Sequence, residues 1–256
     1  HKCMTTVAAI KNKTGNQSVD YLVADLSFQK DIHTLVDCFN NKYTRLDVLI
    51  NNVGTISWSK ELTYDGIEMT FALNHLAYFM LTNLLLDVIV GSGAARIINV
   101  SSSAHKVGRL NVKDAHSPRR YFGWRAYSRS KLCNVLFTYE LARRLKDTRV
   151  TSNALDPGLV ATNFLTNNGL LGRFGNFLLG VRGSSVEEGA QTSVYAASSP
   201  DMAGITGKYM VKKRSVRSSK CSYDEEQQAA LWEASSYLTG VKFKLPGMSV
   251  HGLIAD

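Results

Sequence analysis

Four apolar runs of strand length, separated by longer stretches of helical pattern, finish in small, amide, hydroxyl or acidic residues. They are "VDYLVADL" (19–26), running into "ADLS", then "LDVLINNVG" (46–54), "ARIINVSSS" (95–103) and "VTSNALDPG" (150–158). The runs are continuous rather than alternating, so a sheet built from them leaves neither face to water. A parallel sheet with helices on both faces, the doubly wound α/β fold, meets that requirement. Such sheets bind ligands beyond the carboxyl ends of their strands, so the polar endings are where chemistry is to be sought. Any one of them alone is ordinary turn chemistry.

The remaining elements follow from periodicity. Helices are predicted over 31–43, 65–90, 127–145, 186–198 and 224–238, and a short strand over 207–211. With 256 residues, 45% of them hydrophobic, and no linker, repeat or low-complexity tract, the chain is predicted to form one domain over 1–256. The net charge of +9 favours anionic partners: a phosphorylated cofactor, a nucleic acid or an anionic membrane surface. Cys3, Cys38, Cys133 and Cys221 are scattered without metal-site spacing, and the six histidines are equally dispersed. No metal site is predicted, and His105 and His116 are read as loop or pocket-lining residues. There is no secretory leader and no apolar run of about 18 residues, so no membrane span is expected and a cytoplasmic location is the default.

"AYSRSKLCNVLF" (126–137) places Tyr127 four residues before Lys131, on one face of a helix. Spacing alone is compatible with a catalytic couple or with two surface residues. The surrounding motifs carry more. "NNVG" at 51–54, "NHLAYF" at 74–79, "INVSSSAH" at 98–105, "YSRSK" at 127–131 and "DPGLVAT" at 156–162 occur in one order along the chain. In this combination the chain resembles the short-chain dehydrogenases/reductases, and within them the retinol-dehydrogenase-like branch. "LCNVLFTYELARRL" is similar to that branch's helix after the lysine.

The resemblance implies a Rossmann-type sheet and an NAD(P)-dependent oxidoreductase that interconverts an alcohol and its carbonyl. It implies Tyr127 as acid/base, Lys131 as the cation that lowers the tyrosine's pKa and binds the nicotinamide ribose, and Ser102 as the group orienting the substrate oxygen. Ser103 is the runner-up, while strand alternation turns Ser101 the other way. Asn74 corresponds to an asparagine that interrupts helical hydrogen bonding and holds a water next to the lysine. Asp25 and Leu26 correspond to the pair beside the adenine ring. Asn51, Asn52 and Gly54 correspond to the turn that approaches the adenosine ribose, with Val53 in place of the usual alanine. Pro157, Gly158, Val160 and Thr162 correspond to the segment holding the nicotinamide carboxamide. The branch leans to NADP, with NAD the alternative.

The chemistry is consistent with these residue types. Oxidising a carbinol removes a hydride and a proton, and a tyrosine with an ordinary pKa of about 10 needs nearby positive charge to take that proton near pH 7. Hydroxyl donors at the substrate oxygen stabilise the charge that develops there. The segment 163–191, with Leu165, Leu170, Leu171, Phe174, Phe177, Leu178 and Leu179, is predicted to form an apolar lid for a small hydrophobic alcohol or carbonyl of retinoid, steroid or lipid-aldehyde type. Covering the core or an oligomer contact is the equal alternative.

One departure is pronounced. A dinucleotide fold rests the pyrophosphate on a glycine-rich turn at a helix N-terminus, and no TGxxxGxG occurs in these 256 residues. The chain opens on "HKCMTTVAAI", which reads as the interior of a helix, and aligned with the family His1 falls after the second strand. Two readings follow: an oxidoreductase seen in part, or a truncated fold without cofactor binding whose sheet edges are bare. A third reading takes the lysine- and arginine-rich run "KYMVKKRSVRSSK" (208–220) as a grip on nucleic acid or anionic lipid. It carries one aromatic and no nucleic-acid-binding motif, so a solvated loop is preferred and no nucleic-acid partner is expected. Peripheral membrane contact and homo-oligomerisation are compatible with the sequence.

Overall fold

The computed structural model describes residues 2–114, 116, 120–158 and 186–246. Its sheet has five strands in the order β1 (Val48–Asn51), β2 (Arg96–Val100), β3 (Thr151–Asp156), β4 (Tyr209–Val211) and β5 (Arg214–Val216). The first four run parallel and β5 returns antiparallel. The register sets Asn51 opposite Asn99, and Val100 opposite Leu155. The helices are α1 (Lys2–Thr14), α2 (Gln29–Lys42), α3 (Met69–Phe71), α4 (Ala77–Leu84), α5 (Leu86–Gly91), α6 (Gly123–Arg144), α7 (Val186–Ser198) and α8 (Glu225–Thr239).

Neighbouring residues of β2 show why its apolar run is unbroken. Ile97 enters one core cluster, with Phe79, Phe137, Leu141 and Trp232, while Ile98 enters another, with Leu155, Ala196 and Met210. Successive side chains of a strand point to opposite faces, so both faces of this sheet are covered. α6 is the central helix of the first layer, buried without interruption from Ser130 to Leu141. Trp232 of α8 stacks on Phe137 with ring centroids 5.6 Å apart. α8 begins where the Asp224 side chain accepts from the Gln227 amide at 3.0 Å and ends at Gly240, whose φ of 68° suits a left-handed cap.

The predicted strand at 19–26 does not form. Residues 15–25 have no regular structure, and Val23 is 74% exposed. An extended segment is stabilised by ladder bonds to a neighbour, and among the described residues β1 is paired only to β2. α1 buries none of its side chains. The single helix predicted over 65–90 is instead α3, a π turn at Ala72–Leu76, α4 and α5, with the break at Leu85.

The basic run at 208–220 is also more ordered than a solvated loop. It contributes β4 and β5, and Tyr209 and Met210 are buried in the sheet. The turn between them is Lys212–Lys213, both at positive φ, 48° and 64°. That is the left-handed geometry of a two-residue hairpin usually given to Asn-Gly. Replacing Lys212-Lys213 by Asn-Gly is expected to raise unfolding free energy by about 1 kcal/mol, read by denaturant titration.

Candidate active site

The polar ends of β1, β2 and β3 lie over the start of α6, and the buried side chains there hold one another. Asn74, fully buried in the π turn, accepts from the Thr55 amide at 2.7 Å and donates to the Thr55 carbonyl and to Ser130 Oγ, both at 2.9 Å. A mid-helix asparagine is unfavourable without such partners. Ser130 Oγ in turn donates to the Tyr127 carbonyl at 2.8 Å. The loop after β1, the π turn and α6 are thereby joined through one carboxamide. Tyr78 adds a second tie, its hydroxyl donating to the Val53 carbonyl at 2.8 Å.

Lys131 is buried and donates to the Val100 carbonyl at 3.1 Å. Its Nζ lies 5.7 Å from the centre of the Tyr127 ring. A Cβ placed on Gly54 would lie 3.4 Å from both Lys131 Nζ and Asn74 Oδ1, so glycine leaves the face of this pair open. Burial pulls the Lys131 ammonium down to about 8, against a smaller upward pull from Asp156. Burial likewise pushes the Tyr127 hydroxyl up to about 12, opposed by its hydrogen bond with Ser102 and reinforced by the negative charge of Asp156.

The three serines divide as strand alternation predicts. Ser101 is buried and donates to the Lys131 carbonyl at 2.7 Å, facing away from the cleft. Ser102 reaches Tyr127 and also accepts from the Ala104 amide at 3.2 Å. Ser103 is exposed and opens the 3-10 turn Ser103–Val107. Tyr127, Lys131, Ser102 and Asn74 are thus brought together.

The other predicted positions separate into groups. Asn51 is buried and bonds inward, donating to Thr82 Oγ1 at 3.1 Å and Asn99 Oδ1 at 2.8 Å, so it secures β1 to α4 and β2. Asn52 is exposed beside it. Asp25 is exposed and closes a turn, accepting from the Ser27 amide and hydroxyl at 2.9 and 2.7 Å, while Leu26 packs on the core ahead of α2. Pro157 is half-buried, and Gly158, at φ 81°, donates its amide to Asp156 Oδ1 at 2.8 Å. Val160, Thr162 and the expected lid residues from Leu165 to Leu179 lie outside the described residues.

Several neighbours were given no role in the site by sequence reasoning. Asp156 places a buried carboxylate at the end of β3, close enough to act on both Tyr127 and Lys131. His105, read from the sequence as a loop or pocket-lining residue, is fully buried in the 3-10 turn after Ser102 with both ring nitrogens engaged. Trp58, Phe122 and Trp124 form an aromatic rim, each about half exposed, with Trp124 centred 5.8 Å from Tyr127. Gly123 allows that rim to close, since a Cβ there would lie 2.4 Å from the Ser57 carbonyl oxygen. The isolated aromatic residues in "YFGWRAY" were a signal for the rim, though not for its position.

A parallel sheet covered on both faces by helices, with Ser102 just beyond β2, Tyr127 and Lys131 on α6 and Asn74 in the π turn, has the fold of a nicotinamide-dependent oxidoreductase. The short-chain dehydrogenase family model matches residues 1–169, and the chain belongs to that family, in its retinol-dehydrogenase-like branch. It is 39% identical to human polyprenol dehydrogenase over 247 residues, covering 94% of this chain and 75% of that protein. It is 40% identical to mouse retinol dehydrogenase 14 over 220 residues, covering 85% of this chain and 66% of the relative. A crystal structure of an uncharacterised Mycobacterium paratuberculosis protein superposes with a TM-score of 0.74 at 32% identity, covering 95% of this chain and 83% of that one. The protein is an oxidoreductase acting on CH–OH donors with a nicotinamide cofactor.

The residues present fit the nicotinamide half of that cofactor. Lys131 has donors beyond the one given to Val100, and Gly54 keeps the approach to them clear. Among the described helices none opens on a glycine-rich turn for the pyrophosphate.

Lys131 gives a signed pH prediction. Its folded pKa lies below the ordinary 10.5, so the folded chain favours the neutral amine: stability is greatest above 10.5 and falls as pH drops toward 8. At pH 7 the buried ammonium costs about 3 kcal/mol. Lys131→Met is expected to be more stable than the parent by about 1–3 kcal/mol at pH 7, with the gap closing toward pH 10 in denaturant titrations. Asn74→Ala is expected to lose about 2–4 kcal/mol, because the Thr55 amide and carbonyl lose their partner in a buried setting.

Proposed function

We propose that the protein interconverts a hydrophobic alcohol and its carbonyl, with Tyr127 as the acid/base, Lys131 as its electrostatic partner, Ser102 as the donor to the substrate oxygen and Asn74 as the residue that positions them. The observation that carries this reading is the Ser102–Tyr127 hydroxyl pair above a buried Lys131. The cofactor we assign is NADP, with NAD the alternative; the net charge of +9 favours the more highly charged nucleotide. Asp25, Leu26, Asn52 and Gly54 would line its adenosine side, with Asn51 securing the strand beneath, and Pro157, Gly158, Val160 and Thr162 its carboxamide.

The bound nicotinamide supplies the hydride acceptor for alcohol oxidation and the donor for carbonyl reduction. The protein's part is the proton. In oxidation the carbinol proton passes to Tyr127 Oη, and in reduction the same hydroxyl returns it to the forming alkoxide. Ser102 Oγ donates to the substrate oxygen and is most effective when that oxygen carries charge. Lys131 opposes the burial that holds Tyr127 near 12, since an adjacent ammonium favours the phenolate. Tyrosine ionisation is the step for which the buried cation is kept.

The substrate class follows from the rim. Trp58, Phe122 and Trp124 present apolar surface at the edge of the Tyr127 site, and a retinol and a polyprenol, the alcohols in the names of two relatives, are both strongly apolar. No helix among the described residues is long and apolar enough to cross a membrane, and contact with a lipid surface would come through such a rim.

Two variants test the assignment. Tyr127→Phe is expected to remove turnover of a long-chain alcohol by at least about 100-fold while leaving NADPH binding, followed by nicotinamide fluorescence, intact. Unchanged turnover in that variant overturns it. Trp124→Ala is expected to raise KM for a long apolar alcohol by about tenfold and to leave KM for a short one little changed.

A further inference from the structure

His105 lies three residues beyond Ser102 and is fully buried. Its Nδ1 lies 2.7 Å from the Ser102 carbonyl oxygen, and its Nε2 lies 3.0 Å from the Ser219 backbone nitrogen. A carbonyl oxygen can only accept and an amide N–H can only donate, so the proton sits on Nδ1 and Nε2 is bare. Both partners are backbone groups, and neither can exchange roles to suit the other tautomer. An imidazolium would set an N–H donor against the Ser219 N–H.

The far end of this tether is braced. The Ser219 carbonyl accepts from Ser222 Oγ at 2.6 Å, Ser222 Oγ pairs with Ser218 Oγ at 2.6 Å, and Ser218 Oγ pairs with the Tyr139 hydroxyl of α6 at 2.7 Å. Gln228 of α8 donates to the Ser222 carbonyl at 2.8 Å. The imidazole also packs at a tilt of 55° against the Tyr209 ring of β4, centroids 4.6 Å apart. The turn carrying His105 is seated against α6, because a Cβ on Gly108 would lie 2.6 Å from the Ser128 carbonyl oxygen.

We propose that neutral, Nδ1-protonated His105 is a positioning residue for Ser102: it ties the serine's carbonyl to the hydroxyl-braced segment 218–223 and so aims the serine hydroxyl at Tyr127. The proposal rests on the reading of Ser102 and Tyr127 as the reacting pair. It adds a consequence of its own, an acid limit on carbonyl reduction, the direction in which Tyr127 works as the protonated acid, set by His105 rather than by the tyrosine. Burial holds the ring below the ordinary histidine range; the hydrogen bond to the Ser102 carbonyl opposes this, as does Asp156 from β3, while Lys106 on its own turn reinforces it. Tyr209 from β4 and Tyr127 from α6 are the neutral titratable groups on the facing elements. The tether is therefore intact at neutral pH and is lost only as pH falls through the histidine's depressed pKa, below the ordinary 6.5.

Four variants separate the parts of this claim, each with kcat expressed per folded protein. His105→Ala removes both contacts and is expected to lower kcat by about 100-fold with NADPH affinity unchanged. His105→Asn keeps an N–H donor near the Nδ1 position but offers no acceptor to the Ser219 amide, and is expected to recover only a small part of that loss at neutral pH. Ser219→Pro removes the N–H together with the hydroxyl that pairs with Cys221, at a backbone φ of −64° that proline adopts, and is compared with Ser219→Ala, which loses the hydroxyl alone. The proline variant is expected to move the acid limb of the pH profile upward relative to the alanine variant. Nitrogen NMR of the imidazole supplies a readout that needs no turnover: the Nδ1–H tautomer is expected, persisting below pH 6.5. An Nε2–H tautomer, or His105→Ala with the parental kcat and pH profile, overturns the proposal. A parent without turnover counts against the reading of Ser102 and Tyr127, and the tautomer still decides the tether.

Discussion

The Asn74 carboxamide is the contact on which the site is built. Its oxygen takes the Thr55 amide, and its nitrogen serves both the Thr55 carbonyl and Ser130 on α6. An asparagine inside a regular helix would contend with backbone hydrogen bonding; here the helix opens into a π turn at Ala72–Leu76 and the side chain is fully used. Because Ser130 also holds the Tyr127 carbonyl, the spacing between the end of β1 and the start of α6 is fixed through a single residue. A buried polar network of this kind rigidifies a site when it is complete and destabilises it when one member is missing.

Around that anchor the site accepts an electrostatic cost. Lys131 is a buried cation held by one backbone carbonyl, and Tyr127 is a buried phenol whose ionisation burial opposes. Neither is favourable for folding alone. Together they place a cation where a phenolate must form, and Asp156 adds a carboxylate that supports the first charge and resists the second. Displaced and strained groups of this sort concentrate at functional sites because the rest of the fold can bear them.

Much of this arrangement was legible in the sequence, and the failures have physical causes. The unbroken apolar run of β2 forecast burial on both faces, which Ile97 and Ile98 realise in separate clusters. Strand alternation separated Ser101 from Ser102. The run at 19–26 has equal apolar content but no ladder partner among the described residues, and periodicity does not report a neighbour's presence. The hairpin at Lys212–Lys213 was hidden because its turn lacks the glycine or asparagine that signals positive φ. His105 was read only as a loop or pocket-lining residue, since its tie is to a backbone amide more than a hundred positions away. Roles for Asp25, Leu26, Asn51, Asn52, Gly54, Pro157 and Gly158 depend on a bound nucleotide and stay part of the proposal.

The central claim is that the Tyr127–Lys131–Ser102 cluster removes the hydroxyl proton while a hydride leaves the adjoining carbinol carbon. The most direct measurement is mass spectrometry of the nicotinamide cofactor after incubation of the protein with NADP and a long-chain apolar alcohol dideuterated at its carbinol carbon. Transfer of a single deuterium to the nicotinamide ring, with a mono-deuterated aldehyde as product, is the predicted result. An unlabelled cofactor alongside unchanged alcohol would contradict it.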